Sequence, residues 1–424
     1  MKKIIILVTL VTLLILSSGI GYYLFFIEFN PHIYPDNSYT GSVSSEYTFP
    51  FKDSSITLSI LIPESTYHGA VDAGSKQLPN VKVDNFVCYA DLTNDPLQED
   101  MYTQILDQTE TLKNSLNLTD DEYVELLSTF VQSIQYRTKE VFRYPVETII
   151  EKYGDCDDKS TLLAGLLTRA DYDAVLLIFD EESHATVGIK TTDMTAYPNT
   201  GGYAVIETTG YSYITDRSFR FENGSSLKST PTVVDVGTGI KTYNSGYQVT
   251  AILNYRDKAE SQVDLLSIES AAHTKKLEGM EDTITQYETR LTSLESSMKT
   301  ALAEYNSYID RANRVTSQQK KLNNDVDAKK ITYAEYSSAW DMLKTKCEEA
   351  VRKAKEASNE YNTYYTQYET LYVEYQPYFS TYTNAYDDYS SKVDEENRYA
   401  DIYNLIISEP YNRQYVYQTV MCAA

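Results

Sequence analysis

A cysteine at the predicted start of a helix is the residue in this sequence best placed to do chemistry. Cys156 follows Gly154 and Asp155, and an apolar segment rich in leucine follows it. The free amide groups and the dipole of a helix N-terminus favour the thiolate, which is the nucleophilic form of cysteine. Asp155 is predicted to cap this helix, with Asp158 in its first turn. The neighbouring carboxylates oppose this effect, because negative charge nearby raises the pKa of a thiol.

A thiol nucleophile needs an imidazole to move its proton and a polar group to orient that imidazole. His184 is one of four histidines, and it stands between a charged turn and a segment with strand-like alternation. Glu207 directly follows the apolar residues 204–206. A carboxylate at the end of a buried strand is costly unless it is paired, so Glu207 is a candidate to orient the imidazole. The competing interpretation is a structural cysteine and a half-exposed histidine.

Three segments together resemble the transglutaminase-like superfamily of cysteine proteases. They are GDCDDKS at 154–160, HATVG at 184–188 and IETT at 206–209, and the upstream segments 130–137 and 144–148 also match. The chain is most similar to membrane-anchored archaeal members and to bacterial transglutaminase-like cysteine proteinases, over roughly residues 46–230. The resemblance implies a papain-like core, in which a cysteine-bearing helix packs on an antiparallel sheet. It also implies Cys156 as nucleophile, His184 as general base and Glu207 as orienting acid.

Two positions depart from the pattern of that family. Asp171 stands before Tyr172, where the family usually has a glycine, and this position tends to need the left-handed backbone conformation. An oxyanion donor is also not obvious from the sequence. The backbone amide of Cys156 is one candidate, and the side chain of Gln132 is a second.

Composition limits the remaining possibilities. The chain has 424 residues, enough for two or three domains, and a formal net charge of -24. Binding to nucleic acid is excluded, because phosphate contacts require a basic face. The cysteines, Cys88, Cys156, Cys347 and Cys422, are far apart and form no CxxC pair. The sequence therefore predicts no metal site, no cofactor and no disulfide framework.

The N-terminal residues predict a membrane anchor. Residues 4–27 carry no charge, and about 20 apolar residues are enough to span a bilayer. Lys2 and Lys3 should stay inside, which places the bulk of the chain outside the cytoplasm. A cleaved signal peptide is the alternative, with residues 17–19 as the cleavage site. Two glycosylation sequons fit an outside location and begin at Asn117 and Asn223.

Apolar and tyrosine residues recur at spacings of three and four from about residue 277 to residue 375, which predicts a coiled coil over 256–400. Thr332 and Glu335 form a capping-box pair that would start a second helix, so an antiparallel hairpin is favoured. Because the heptad register also continues across the expected turn, a single long helix in an intermolecular coil is the alternative. The coil could bind a partner helix, associate with itself, or have no partner.

These observations predict an α+β protein: a papain/transglutaminase-like core with a long C-terminal α-helical coiled-coil hairpin and an N-terminal transmembrane helix. The predicted divisions are an anchor at 1–27, a linker at 28–45, the transglutaminase-like domain at 46–255, the coiled-coil hairpin at 256–400 and a tail at 401–424. The predicted function is that of an extracytoplasmic, membrane-anchored cysteine hydrolase that acts on peptide or isopeptide bonds of a protein or peptide substrate. The alternative is a non-catalytic adhesion or assembly module that works through its coiled coil.

Overall fold

The computed structural model of the chain combines small β-sheets with a larger number of helices. It divides into two compact units, the first formed by residues 1–260 and 400–424 and the second by residues 261–399. The structure describes residues 9, 11–18, 32–75, 87–139, 143–218 and 226–423.

The first unit contains eight strands and most of the shorter helices among the described residues. In chain order these are β1 (Ser42–Phe51), β2 (Ser54–Pro63), α1 (Glu64–Ser75), α2 (Val87–Asn94), a 3₁₀ turn (Pro96–Gln98), α3 (Glu99–Ser115), α4 (Asp120–Gln132), β3 (Gln135–Tyr136), α5 (Pro145–Glu151), β4 (Tyr153–Gly154), α6 (Cys156–Arg169), β5 (Ala174–Phe179), β6 (His184–Lys190), β7 (Tyr203–Ile206) and β8 (Thr232–Asp235). The long helices α7 (Gly246–Asp327) and α8 (Tyr333–Ser408) follow, and α9 (Arg413–Ala423) is the last element.

Helix α6 packs against an antiparallel sheet with the strand order β7-β6-β5-β8. All six residues of β5 are buried, as a strand covered on both faces requires. The leucines of α6 are fully buried between this sheet and the helices α3, α4 and α5. On the other side of the core, β1 and β2 form an antiparallel hairpin in which alternate residues of β2 are buried, because apolar residues alternate with serine and threonine there. The core therefore fixes both the start of α6 and the ends of β6 and β7.

The last residues of the chain complete the first unit. Arg413 of α9 binds the Glu125 carboxylate of α4, and both side chains are buried. The Tyr213 hydroxyl donates to the carbonyl of Ile406 over 3.0 Å. The segment described from sequence as a tail at 401–424 is thus helical over most of its length and supplies a buried charge to the core.

The second unit is an antiparallel helical hairpin built from parts of α7 and α8. Thr332 caps α8, and its backbone amide donates to the Glu335 carboxylate over 2.8 Å, as the capping-box pair predicted. Three side-chain hydrogen bonds join the two helices at successive levels: Tyr336 to Asn323, Tyr375 to Glu288, and Lys392 to Glu269. Since one residue number rises while the other falls, the helices run in opposite directions. Pro377 lies inside α8 and does not end it, although a proline within a helix removes one backbone hydrogen bond.

The predicted N-terminal membrane anchor at 1–27 is corrected by the structure. Within that stretch only residue 9 and residues 11–18 are described, and the remainder lies outside the described residues. A membrane-spanning helix needs about 20 consecutive apolar residues. No helix in the described part of the chain is long and apolar enough to cross a membrane. The transmembrane helix, and the fold class that included it, are therefore wrong. The same correction applies to the membrane as a partner and to the single-pass membrane location, because both were inferred from this helix.

The other three cysteines lie outside the sheets of the described residues, and Cys88 lies in α2. Cys88 and Cys347 are half-buried in helices, and Cys422 is exposed. Asn117 is exposed in the turn after α3, whereas Asn223 lies outside the described residues.

Asp171, where the resembled family usually has glycine, has a φ of 70°, in the left-handed region. Asp171→Gly should raise the free energy of unfolding by about 0.5–1 kcal/mol, because glycine has no Cβ to clash in that conformation. Asp171→Val should lower it by about 1–2 kcal/mol. Urea unfolding measures both. Asp180→Gly, at an exposed aspartate whose φ is not positive, is the matched control and should lower stability. An Asp171→Val variant as stable as the wild type would contradict this account.

Candidate active site

The start of helix α6 is held by a reciprocal pair of aspartates. The Asp155 side chain accepts from the backbone amide of Asp158, and the Asp158 side chain accepts from the amide of Asp155, each over 3.3 Å. This arrangement is a capping box, and it confirms the prediction that Asp155 caps the helix with Asp158 in its first turn. Gly154 precedes it, and a Cβ there would come within 2.9 Å of Asp158 Cβ. The close turn therefore needs glycine, and it brings Cys156 to the first position of the helix.

The Cys156 thiol is half-buried beside strand β6. The backbone amide of Ala185, the residue that follows His184 in β6, is near enough to the thiol to affect its pKa. Burial raises the pKa of the thiol to about 12, and the charges of Asp157 and Asp155 act in the same direction. The Ala185 amide lowers the pKa but does not offset these effects. At neutral pH the thiol is therefore protonated when no substrate is bound.

His184 and Glu207 form a buried pair at adjacent strand ends. His184 Nε2 lies 2.8 Å from a carboxylate oxygen of Glu207, and both side chains are buried. The other carboxylate oxygen accepts from the backbone amides of Thr208 and Thr209 and from the Thr209 hydroxyl, over 2.6–2.9 Å. Burial alone would raise the pKa of Glu207, but the hydrogen bonds from His184 and Thr209 hold it below its usual value. The carboxylate therefore stays ionised and can stabilise a protonated imidazole.

The Gln132 side chain, predicted as an oxyanion donor, has a different role in this arrangement. Its amide group donates to the carbonyl of Glu207 over 2.8 Å and to the carbonyl of Ser212 over 3.1 Å. Both donors are thus used to hold the segment that carries the orienting acid. The backbone amide of Cys156 remains the candidate donor, because amides in the first turn of a helix have no intrahelical acceptor.

Lys159 was not singled out from the sequence, yet it is fully buried behind the thiol-bearing turn. Its ammonium group donates to the carbonyl of Ile134 over 2.7 Å and to that of Gln132 over 3.3 Å. Desolvation lowers its pKa to about 7. The sequence held a signal for this position, since Lys159 shares the 3–4 spacing of the buried Leu163 and Leu166. Lys159 therefore ties the end of α4 to the start of α6.

Tyr136 is a second residue that the sequence did not indicate. It lies in β3, opposite Gly154 in β4, and is 43% exposed. Burial, followed by the charges of Cys156 and Asp155, raises the pKa of its hydroxyl to about 12. Tyr136 is therefore a partly exposed residue whose hydroxyl is near enough to the thiol to interact with its charge.

One group of carboxylates in the described part of the chain is compact enough to hold a metal ion. Oxygen atoms of Asp155, Asp157 and Asp158 lie within 4.8 Å of one another. Asp155 and Asp158 are accounted for by the capping box, and the Tyr89 hydroxyl donates to Asp157 over 3.2 Å. Local structure thus explains the cluster without an ion.

The structure brings Cys156, His184 and Glu207 to one region of the first unit, in which α6 and the ends of β6 and β7 meet. No family model, no curated protein and no solved structure matches the chain. The interpretation of the site therefore depends on its own geometry.

The pKa of Lys159 leads to a prediction about stability. Between its folded value of about 7 and its ordinary value of 10.5 the unfolded chain binds more protons than the folded chain. The free energy of unfolding should therefore rise with pH in this window, by at most about 1.4 kcal/mol per pH unit. In Lys159→Met this part of the rise should be absent.

Urea unfolding of wild type and variant at pH 6.5, 7.5 and 8.5 measures the difference between the two slopes. Lys228→Met, at an exposed lysine, is the control and should keep the wild-type slope. If the free energy of unfolding rises equally with pH in wild type and Lys159→Met, the pKa of Lys159 is not lowered by burial.

Proposed function

We propose that this chain is a cysteine hydrolase that acts on peptide or isopeptide bonds through Cys156, His184 and Glu207. The observation that carries the proposal is the buried His184–Glu207 pair, with a distance of 2.8 Å, at the end of the strand whose Ala185 amide lowers the pKa of the Cys156 thiol. A buried carboxylate beside an imidazole fixes the orientation of the ring and stabilises its protonated form.

In the proposed reaction the sulfur of Cys156 attacks the carbonyl carbon of the substrate while its proton moves to His184. Glu207 binds Nε2, so the proposal assigns the thiol proton to Nδ1. The backbone amide of Cys156 stabilises the oxyanion. The imidazolium then protonates the leaving amine, and a thioester remains on the enzyme. Water attacks the thioester and gives its proton to His184, which releases the acid and restores the thiol.

The raised pKa of the thiol favours general-base catalysis over a resting thiolate–imidazolium pair. Burial and the acidic cap keep the proton on sulfur until a substrate is present. A base that is supported by an ionised carboxylate can remove this proton during the attack. The activity should therefore depend strongly on the charge of Glu207.

The resemblance to transglutaminase-like cysteine proteases supports the same reaction class, with water as the acyl acceptor and an amine as the alternative. The competing proposal, a non-catalytic module that binds through its coiled coil, shares the fold but requires no acylation of Cys156. The two proposals can therefore be separated by the chemistry of one residue.

Acylation by p-nitrophenyl acetate tests the proposal. The wild type should release p-nitrophenolate in a burst and carry an acetyl group on the peptide that contains Cys156. Cys156→Ala should lose the burst. His184→Ala and Glu207→Gln should slow acylation by about 100-fold or more, because each removes part of the general base.

Cys347→Ala and His68→Ala are the matched controls and should behave as the wild type. Wild-type protein without an acetyl group on Cys156, or a Glu207→Gln variant as fast as the wild type, would favour the non-catalytic module instead.

A further inference from the structure

One side of the hairpin in the second unit carries a regular row of aromatic pairs. On α8 four pairs recur every seven residues: Tyr361–Tyr365, Tyr368–Tyr372, Tyr375–Phe379 and Tyr382–Tyr386. Their ring centroids lie 5.4–6.5 Å apart. The first residue of each pair is at least half-buried in the seam between the helices. The second is exposed, by 42% to 52% of its surface in the four pairs.

The exposed members form a continuous stripe. Residues 365 and 386 are 21 positions apart, which corresponds to about 32 Å along the helix. Aromatic rings that face solvent at every second turn are not needed to close the hairpin, because Ile284, Leu291 and Leu371 already fill its core. Exposed apolar surface of this regularity indicates a binding site for another chain.

A row of glutamates on α7 lies beside this stripe. Glu281, Glu288 and Glu295 also repeat every seven residues, and all three are exposed. The Tyr375 hydroxyl donates to Glu288 over 3.1 Å, and the Tyr368 hydroxyl bonds to Glu295. In an antiparallel pair of helices these positions share one side of the seam. We call this side, formed by the three glutamates and the exposed residues 365, 372, 379 and 386, the acidic aromatic face.

The α8 part of the acidic aromatic face carries no basic residue in its sequence. From residue 356 to residue 391 the sequence has six acidic residues and no lysine, arginine or histidine. None of the three glutamates forms an ion pair with another described residue. The opposite side of the seam differs, because Arg290 lies in a groove there with Glu374.

We propose that the acidic aromatic face binds a basic helical segment of another protein, with arginine or lysine side chains at seven-residue spacing. Such a cation can lie over a tyrosine ring while its charge meets the neighbouring glutamate. The aliphatic part of the side chain would cover the apolar ring. This proposal does not depend on the proposed catalytic function.

Charge favours this partner over a second copy of the chain. The chain has a net charge of -24, and a symmetric dimer would place the two glutamate rows against each other. Like charges that face each other across helices are destabilising. A basic helix instead neutralises a row of glutamates that form no ion pair with other described residues.

Binding of a synthetic peptide to the full chain tests the proposal. The probe is a fluorescent, alanine-based helical peptide of four heptads with arginine at two positions per heptad on one face, and binding is followed by fluorescence anisotropy. The control peptide has the same composition with the arginines distributed around the helix. We expect the chain to bind the one-faced peptide at least tenfold more tightly than the control.

Two sets of variants locate the site. The triple variant Glu281→Gln, Glu288→Gln, Glu295→Gln should weaken binding at least tenfold. The quadruple variant Tyr365→Ser, Tyr372→Ser, Phe379→Ser, Tyr386→Ser should also weaken binding at least tenfold. The matched control is Glu304→Gln, Glu360→Gln, Glu374→Gln, which removes the same charge from exposed residues on the opposite side of the seam. It should change affinity by less than twofold.

Three results would overturn the proposal. The first is equal affinity for the two peptides, and the second is equal loss in the two glutamine variants, since both indicate unspecific attraction to an acidic chain. The third is a wild-type dimer in sedimentation equilibrium that the serine variant abolishes, because the face would then be occupied by a second copy.

Discussion

The Glu207 carboxylate is buried, and the elements around it are arranged so that its charge is compensated. One oxygen meets the His184 ring, and the other accepts from the amides of Thr208 and Thr209 and from the Thr209 hydroxyl. The Gln132 amide holds the carbonyl of the same residue, and Lys159 holds the end of the helix that carries Gln132. An uncompensated buried charge would be strongly destabilising. The hydrogen bonds that join β6, β7, α4 and α6 at this site therefore serve to compensate one ionised group, the Glu207 carboxylate.

The turn that presents the thiol has two requirements that conflict. A helix that begins among buried residues needs acceptors for its free amides, and Asp155 and Asp158 supply them. Burial, followed by the charges of Asp157 and of the capping Asp155, raises the pKa of Cys156. The acidic cap thus keeps the proton on sulfur in the resting state, whereas the Glu207 carboxylate beside the imidazole can stabilise the imidazolium that forms during attack.

Sequence patterns predicted those parts of the structure that depend on local rules. The N-cap at Asp155, the capping box at Thr332 and the strand that begins at His184 follow from residue type and spacing. The roles of Gln132 and Lys159 depend on which carbonyls reach them across the core, and no local pattern gives that information. The transmembrane helix was inferred from an uncharged run alone, and the described helices include none of that length and apolarity. The helical 401–424 segment was missed because its buried contact is with Glu125, far away in sequence.

The pairing of Glu125 with Arg413 has a consequence for synthesis of the chain on the ribosome. The two residues are 288 positions apart, and both long helices lie between them. At about 5–20 residues per second, the acid would emerge about 15–60 s before its partner. During that interval the first unit lacks Arg413, its buried cation, and the helix α9 that carries it. The core of the first unit therefore cannot be completed until the entire hairpin has been translated. This unit folds late, although most of its residues are synthesised before the hairpin.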